Sequence, residues 1–305
     1  MTRSTTTRLL VRPRHAFARV LRGFSPAAVV IPMCAVVALL SAACSVVISS
    51  PTAVGELSQQ VADGKSVTIV TKNGGVELIH DPAATAIEIT ARIRCAGETE
   101  EKAAERVKAT RLVAVREESG LVRIGVEFPS DGRSGVGRSG FSKDSATIVV
   151  RAANLDGIDV TTTNGGIDVG AFAGPARLET SNGSIKIHAH AGPIEARSSN
   201  GSIRASGVRA PILADTSNGG IEISLADDAE GEIELDTSNG NVTIELGKAW
   251  QGTVTADTSN GKIDLSGGEV VTKQGVKVMT VGDGSKAKAT IDTSNGRVTV
   301  RGAKE

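Results

Sequence analysis

The chain has 305 residues, with 34 basic and 34 acidic side chains, 35 glycines, five Phe, one Trp and no Tyr. Residues 1–44 hold six arginines and no acid, so the remaining 261 residues carry 28 basic and 34 acidic side chains, a net charge of −6. A mildly acidic main part argues against nucleic-acid binding, which needs a basic face opposite the phosphates. Scarce aromatics beside abundant Ile, Val, Thr and Gly predict an all-β fold.

The N-terminal segment has the pattern of an export signal. Residues 1–25 form an Arg-rich region that we expect to stay in the cytoplasm, and residues 26–48 form an apolar signal or membrane anchor. Residues 49–62 are predicted to be a linker. The chain is therefore expected to be exported and anchored in the cell envelope or at the surface, with the membrane as a partner through its N-terminus.

Three fates of the apolar segment stay open. The stretch Leu40-Ser41-Ala42-Ala43-Cys44 resembles a bacterial lipobox and makes Cys44 the candidate for lipidation, although Ser41 stands where the motif usually has Leu. Alternatively, residues 27–48 remain as a signal anchor, because 22 residues can span about 30 Å of hydrocarbon. In the third case, cleavage after Ala43 releases the outer domain. A buried cytoplasmic helix would leave the six arginines unexplained.

A mixed lead-in precedes the main repeats. One early repeat unit lies in residues 66–79, and later stretches have the alternation of strands or the composition of a helix. The predictions are strands over residues 87–94, 121–128 and 147–150, a helix over residues 98–109, and a Gly/Ser/Arg-rich loop over residues 130–143.

The strongest signal is a tetrad, Thr-Ser-Asn-Gly or a close variant, that recurs eight times. Four consecutive tetrads are 18 residues apart, the next two steps are 21 residues, and the last is 35. Apolar and polar residues alternate on both sides of each tetrad, as in half-buried strands. The tetrad asparagines, which we assign to structural turns, are Asn73, Asn164, Asn182, Asn200, Asn218, Asn239, Asn260 and Asn295.

Two architectures fit these repeats over residues 63–302. In a β-solenoid, similar to a parallel β-helix, each coil of 18–21 residues lies about 4.8 Å from the previous one, so equal residues stack and asparagine amides can form a ladder. Asn-Gly is also a strong hairpin signal, so an antiparallel meander or sandwich is the alternative. The solenoid explains more, because a meander does not need the same tetrad in every turn. Residues 267–288 are predicted to cap the stack.

The order of these segments resembles the bacterial putative-adhesin domain family, a group of unknown function with a β-solenoid-like fold. The resemblance covers roughly residues 60–302 and rests on units such as Thr293-Ser294-Asn295-Gly296-Arg297-Val298-Thr299-Val300. It implies placement at the cell surface. It implies no catalytic residue, no cofactor and no established ligand.

Four aspartates stand directly before tetrads and would form an acidic column in a stack. A cation with oxygen ligands could settle there, as calcium does. A solvated outer face is the simpler interpretation, since the Gly-Gly-x-Gly-x-Asp calcium repeat is absent. The four candidates are Asp215, Asp236, Asp257 and Asp292.

Two further features bear on chemistry. His188 and His190 are expected on one face of a strand, as an exposed pair rather than a zinc site, because no cysteine lies nearby. Trp250 is the only Trp and the chain has no Tyr, so stacking platforms for sugar rings are nearly absent. No metal site, cofactor or nucleophile motif is predicted.

The predicted function is therefore an adhesion, interaction or envelope-structural module at the cell surface, and not an enzyme. Its ligand would be a surface glycan or a protein. One alternative is a sensory or regulatory envelope protein that uses its cytoplasmic tail. The other is a polysaccharide-acting β-helix enzyme, which needs clustered carboxylates, whereas the acids here follow the repeat frame.

Overall fold

The structure, a computed structural model, describes residues 51–130, 143–209, 211–273 and 275–303. Alternating Ile, Val and Thr produce short strands, and Gly, Asn and Pro separate them. In chain order the elements are β1 (Thr52–Val61), β2 (Ser66–Asn73), β3 (Val76–His80), β4 (Ile87–Ala96), α1 (Glu100–Ala109), β5 (Arg111–Arg116), β6 (Leu121–Glu127), β7 (Ser145–Ala152), β8 (Gly157–Asn164), β9 (Ile167–Val169), β10 (Ala176–Thr180), β11 (Ile185–His188), β12 (Ile194–Ser198), β13 (Ile203–Val208), β14 (Ile212–Thr216), β15 (Ile221–Leu225), β16 (Ile233–Thr237), β17 (Val242–Glu245), β18 (Gly252–Thr258), β19 (Ile263–Ser266), β20 (Glu269–Lys273), β21 (Val276–Val281), β22 (Ala287–Thr293) and β23 (Val298–Arg301).

The strands form two sheets, which we call sheet A (β1-β4-β7-β3-β9-β11-β13-β15-β17-β23-β19) and sheet B (β20-β21-β18-β22-β16-β14-β12-β10-β8-β2-β6-β5). The two strands that flank each tetrad lie in different sheets, and each strand pairs in parallel with its counterpart in the next coil. The predicted all-β solenoid is confirmed. The hairpin alternative is wrong for the repeats, because the tetrad turns a corner between sheets and does not reverse the chain within one sheet.

The core lies between the two sheets. Inward-facing Ile, Val, Leu and Ala side chains repeat at equal positions in successive coils, and one hydrophobic cluster runs from Val61 to Val300. In sheet B, for example, Leu178 stacks on Ala196, and Ala196 on Ala214. The alternation read from the sequence therefore places one side of every repeat strand in this core.

The lead-in closes one end of the stack with antiparallel strands. In sheet A, β4 pairs with β7 and β1 pairs with β4, and in sheet B β5 pairs with β6. The helix α1 is capped at its N-terminus by Thr99, whose hydroxyl accepts from the Lys102 backbone N–H at 3.3 Å, and acidic residues occupy its first turn. The helix over residues 98–109 was thus predicted to within two residues.

The coil order departs from the chain order at both ends. At the lead-in end, β6 and β7 lie outside β2 and β3 although they follow them in sequence. At the other end, β22 and β23 are inserted between the β16–β17 coil and the β18–β19 coil. The 35-residue step between the last two tetrads includes the β20–β21 hairpin, which lies between β19 and β22 in the chain. The intervening β20–β21 hairpin extends sheet B beyond β18, within the segment predicted to be a cap.

The segment that precedes the repeats also differs from its prediction. Residues 49–62 were expected to be a linker, whereas Thr52–Val61 forms β1, which pairs with β4 over ten residues. Four of the five outward-facing residues of β1 are polar, and this made the segment resemble a linker. The described residues contain no helix with the length and apolar character needed to cross a bilayer. The predicted Arg-rich region, the predicted anchor over residues 26–48 and Cys44 lie outside the described residues.

Candidate functional site

The eight tetrad asparagines form one continuous ladder along a corner of the stack. Each side-chain amide donates from Nδ2 to Oδ1 of the asparagine in the preceding coil, at 2.8–3.0 Å. At the lead-in end, Asn73 donates to the backbone carbonyl of Asp144 at 3.2 Å. The order along the stack is Asn73, Asn164, Asn182, Asn200, Asn218, Asn239, Asn295 and Asn260, which reflects the inserted last coil.

The ladder uses most of its hydrogen-bonding capacity internally. Several of these amides also direct Nδ2 at a backbone carbonyl of the preceding coil, as Asn200 does toward Ser181 at 3.2 Å and Asn218 toward Ser199 at 3.3 Å. An amide that donates twice and accepts once within the stack keeps little capacity for a ligand. The asparagine ladder therefore joins the coils, and we do not expect it to be the binding surface.

The residues on either side of the asparagine reinforce the same corner. The buried hydroxyl of Thr216 donates to the Gly201 carbonyl of the preceding coil at 2.9 Å, and that of Thr237 donates to Gly219 at 2.9 Å. The tetrad glycines approach the previous coil closely, so that a Cβ added at Gly201 would lie 1.7 Å from the Gly183 carbonyl oxygen. The threonine, asparagine and glycine of the tetrad thus each make a close contact with the preceding coil.

The four predicted aspartates do form a column on the outer side of sheet B. The pairing brings Asp215 beside Asp236, Asp236 beside Asp292, and Asp292 beside Asp257. Their order in space is therefore different from their order in the chain. The spacing of about 4.8 Å between neighbouring strands keeps adjacent carboxylates of the column close together.

The two inner aspartates of this acidic column have perturbed acidities. Partial burial, followed by the charges of Asp215 and Glu234, raises the pKa of Asp236 above its usual value. Partial burial, followed by the charges of Asp236 and Asp257, raises the pKa of Asp292. Among the described residues, no group of three or more His, Cys, Asp or Glu side chains has the arrangement that a metal ion requires.

The outer side of sheet B changes its charge along the stack. Near β10 and β12, Glu195 contacts both Arg177 at 3.8 Å and Arg197 at 3.0 Å. An open groove of about 400 Å³ lies in the same region, lined largely by apolar residues that include Pro175 and Pro193. Toward β16, β22 and β18 the same side of the sheet carries the column of aspartates. The outer side of sheet B is thus mixed in charge near β10 and β12, and from β14 to β18 it carries four aspartates with one lysine of β22 nearby.

The two histidines do not share a face. His188 is exposed at the end of β11, where Nδ1 lies 3.1 Å from the Ser206 hydroxyl and Nε2 lies 3.6 Å from Asp168. His190 is fully buried, and its Nε2 lies 2.8 Å from the Gly174 carbonyl. Ala189 between them has φ 51°, a left-handed conformation that ends the alternation of the strand. Burial lowers the pKa of His190.

The single tryptophan is also unavailable to a ligand. Trp250 is 1% exposed and donates from its indole nitrogen to the Gly231 carbonyl at 3.1 Å. It fills the core at a corner of the stack and presents no ring face to solvent. Cys95 is buried as well, so its side chain is not a surface group.

Comparisons with known proteins agree with the expected resemblance. Residues 175–301, which run from just before β10 to the end of β23, match the model of a family described as "Domain of unknown function (DUF7330)". The predicted resemblance to a group of unknown function is confirmed over these residues. No curated protein matches the chain.

Several solved structures are similar to this chain. A putative adhesin from Bacteroides fragilis has 11% identity and a TM-score of 0.40, over 82% of this chain and 97% of that one. A putative cell adhesion protein from Clostridium sporogenes has 10% identity and a TM-score of 0.32, over 82% and 100%. A putative lipid binding protein from Parabacteroides distasonis has 12% identity and a TM-score of 0.24, over 83% and 97%.

Proposed function

We propose that the chain is an exported, membrane-anchored interaction module, and that it contacts its partner through the outer side of sheet B. The observation that carries this proposal is the acidic column formed by Asp215, Asp236, Asp292 and Asp257. Like charges at a regular spacing favour a repetitive, positively charged partner, because weak contacts add up over successive coils.

The rest of the stack supports this role by holding the column in place. Parallel pairing, the asparagine ladder and the buried Thr-to-Gly hydrogen bonds tie each coil to the next. A surface that is already ordered loses little conformational entropy when it binds. The asparagine corner, whose amides are paired with one another, acts as the support and not as the contact surface.

Binding to intact bacterial and host cells, to basic peptides and to glycans that carry free amines tests the interaction. The full chain is compared with a variant in which the four column aspartates are replaced by Asn. The matched control replaces four acids on the outer side of sheet A, as Glu77→Gln, Asp168→Asn, Glu222→Gln and Asp264→Asn. We expect salt-sensitive binding that the column variant loses and the control keeps. Absence of binding by the unmodified chain, or equal loss in both variants, would contradict the proposal.

Location is tested separately. Mass spectrometry of the protein from the membrane fraction is expected to find an N-terminus at either Met1 or a lipid-bearing Cys44, since both keep the domain at the membrane. A plain N-terminus at Cys44, or recovery only from the cytosol, would contradict anchoring.

We also propose that the module has no catalytic activity of its own, because the acids follow the repeat frame and the tryptophan is buried. The purified chain is expected to release no reducing ends from bacterial and host polysaccharides. Release by the unmodified chain would favour the β-helix enzyme instead.

A further inference from the structure

The last strand of sheet B, β20, has an open edge. One side of Glu269–Lys273 pairs with β21 in antiparallel fashion, and no described strand pairs with the other side. Alternate residues of such a strand direct their backbone N–H and C=O groups away from the sheet. Proteins usually protect such edges, because an open edge can accept another strand.

The side chains of β20 are unusual for an open edge. All five residues are exposed, and the two central valines, Val270 and Val271, are 41% and 45% exposed. Residues with high strand propensity and apolar surface stand in the middle of the strand, and charges stand only at its ends. This composition favours pairing with a further strand.

The order of charges in β20 indicates which strand would fit. If two copies of β20 pair in antiparallel fashion about Val271, Val270 of each copy lies opposite Thr272 of the other. Glu269 of each copy then lies opposite Lys273 of the other, so both ends of the pair join opposite charges. Opposite charges directly across a strand pair are stabilising.

The other edge strands lack this complementarity. The remaining ends of the two sheets are β1, β19 and β5. Full antiparallel overlap of two copies of β5 would place Arg111 opposite Arg116, where like charges repel. Strands β1 and β19 each carry a single acid, Glu56 and Asp264, and have no basic residue to place opposite it.

We propose that two copies of this chain associate through antiparallel pairing of their β20 strands, with Glu269 of each copy beside Lys273 of the other. The two copies of sheet B then become one continuous sheet. The contact is short, so the dimer is weak and forms reversibly. Salt weakens it further, because both charge pairs lie at the surface.

Sedimentation velocity of the full chain tests this association. The chain is kept in density-matched detergent because residues 27–48 are almost wholly apolar. The unmodified chain is expected to shift from monomer to dimer as its concentration rises toward about 1 mM. A chain that stays monomeric over that range would overturn the proposal.

Charge variants show whether β20 forms the contact. Glu269→Lys places lysines opposite lysines, and Lys273→Glu places glutamates opposite glutamates, so each variant alone is expected to be monomeric. An equimolar mixture of the two restores both opposite-charge pairs and is expected to form dimers. Circular dichroism melting checks that both variants keep the fold. Dimers in each variant alone, or a monomeric mixture, would overturn the proposal. Either result would point instead to an unrelated peptide strand as the partner of the open β20 edge.

Discussion

At the scale of single residues, the tetrad Thr-Ser-Asn-Gly works as a connector between coils. Its threonine donates to a glycine carbonyl of the preceding coil, and its asparagine donates to the preceding asparagine. Among the described tetrad glycines only Gly74 has a positive φ. A type I′ hairpin turn would need positive φ at both Asn and Gly. Close approach of neighbouring coils, and not turn conformation, therefore explains why glycine recurs.

Replacement of Gly201 by alanine tests this explanation. Its Cβ would lie 1.7 Å from the Gly183 carbonyl oxygen, so the coils must separate locally. We expect Gly201→Ala to lower the free energy of unfolding by about 1–3 kcal/mol or more, as overpacking does, in urea unfolding. Gly125→Ala is the control, because the nearest backbone atom would lie 3.8 Å from its Cβ. That change should raise stability by about 0.5–1 kcal/mol. Equal effects of the two replacements would refute the role of close approach.

His190 is expected to make stability depend on pH. Burial lowers its pKa below the usual 6.5, so at acidic pH the unfolded chain binds a proton that the folded chain does not. The free energy of unfolding should therefore be highest above about pH 6.5 and should fall as the pH drops through the folded-state pKa of His190. Melting temperatures of the chain and of His190→Gln across this window measure the effect, which the variant should lack.

His188→Gln is the matched control for that experiment. This neighbouring ring is exposed on β11, so we expect the replacement to leave the pH dependence in place. A control that abolishes the dependence as fully as His190→Gln would show that burial of His190 is not its cause.

At the scale of elements, a buried ion pair fastens α1 to the lead-in strands. Arg106 in the helix contacts the Asp144 carboxylate just before β7, and the other oxygen of that carboxylate accepts the Ala96 backbone N–H of β4 at 3.0 Å. The helix and both strands were predictable from composition and alternation. The pair was not, because its members are 38 residues apart and nothing in the local sequence connects them.

Removal of the Asp144 carboxylate measures how much this ion pair contributes to the free energy of unfolding. Asp144→Ala leaves the largely buried Arg106 without its partner, and the free energy of unfolding should fall by about 3–5 kcal/mol. Lys102→Ala, which breaks the exposed ion pair between Lys102 of the same helix and Glu98 just before it, should change the free energy of unfolding by no more than about 1 kcal/mol. Chemical unfolding of both variants gives the comparison. A small effect at Asp144 would mean that the pair does not hold the helix.

At the scale of the whole described domain, the order of coils decides how the end of the stack is held. The β22–β23 coil lies between two coils that precede it in the chain, so the β18–β19 coil reaches the rest of the parallel stack only through it. In the asparagine ladder, Asn295 likewise bridges Asn239 and Asn260. The last strands of the chain are therefore a link in the stack and not its free end.

A chain that ends at Lys286 tests this arrangement, since it lacks both β22 and β23. We expect the backbone amides of β18 and β19 to lose protection in hydrogen exchange, because their parallel neighbours are gone, whereas β10–β13 stay protected. Replacement of Glu269–Val281 by a short Gly-Ser linker is the control, because it removes only the hairpin beyond β18. Retained protection of β19 in the truncated chain would contradict the inserted order.

The sequence by itself determined the class of fold, because alternation and a repeated tetrad are local patterns that each coil displays. It also indicated the asparagine ladder and the acidic column, since equal residues at equal spacing must stack once the coils are parallel. Only the tertiary structure decided the order of the end coils, the burial of His190 and the strand nature of residues 52–61. All three depend on contacts between segments that are distant in the chain. The spacing of neighbouring residues does not show which distant segment a strand or a side chain will contact.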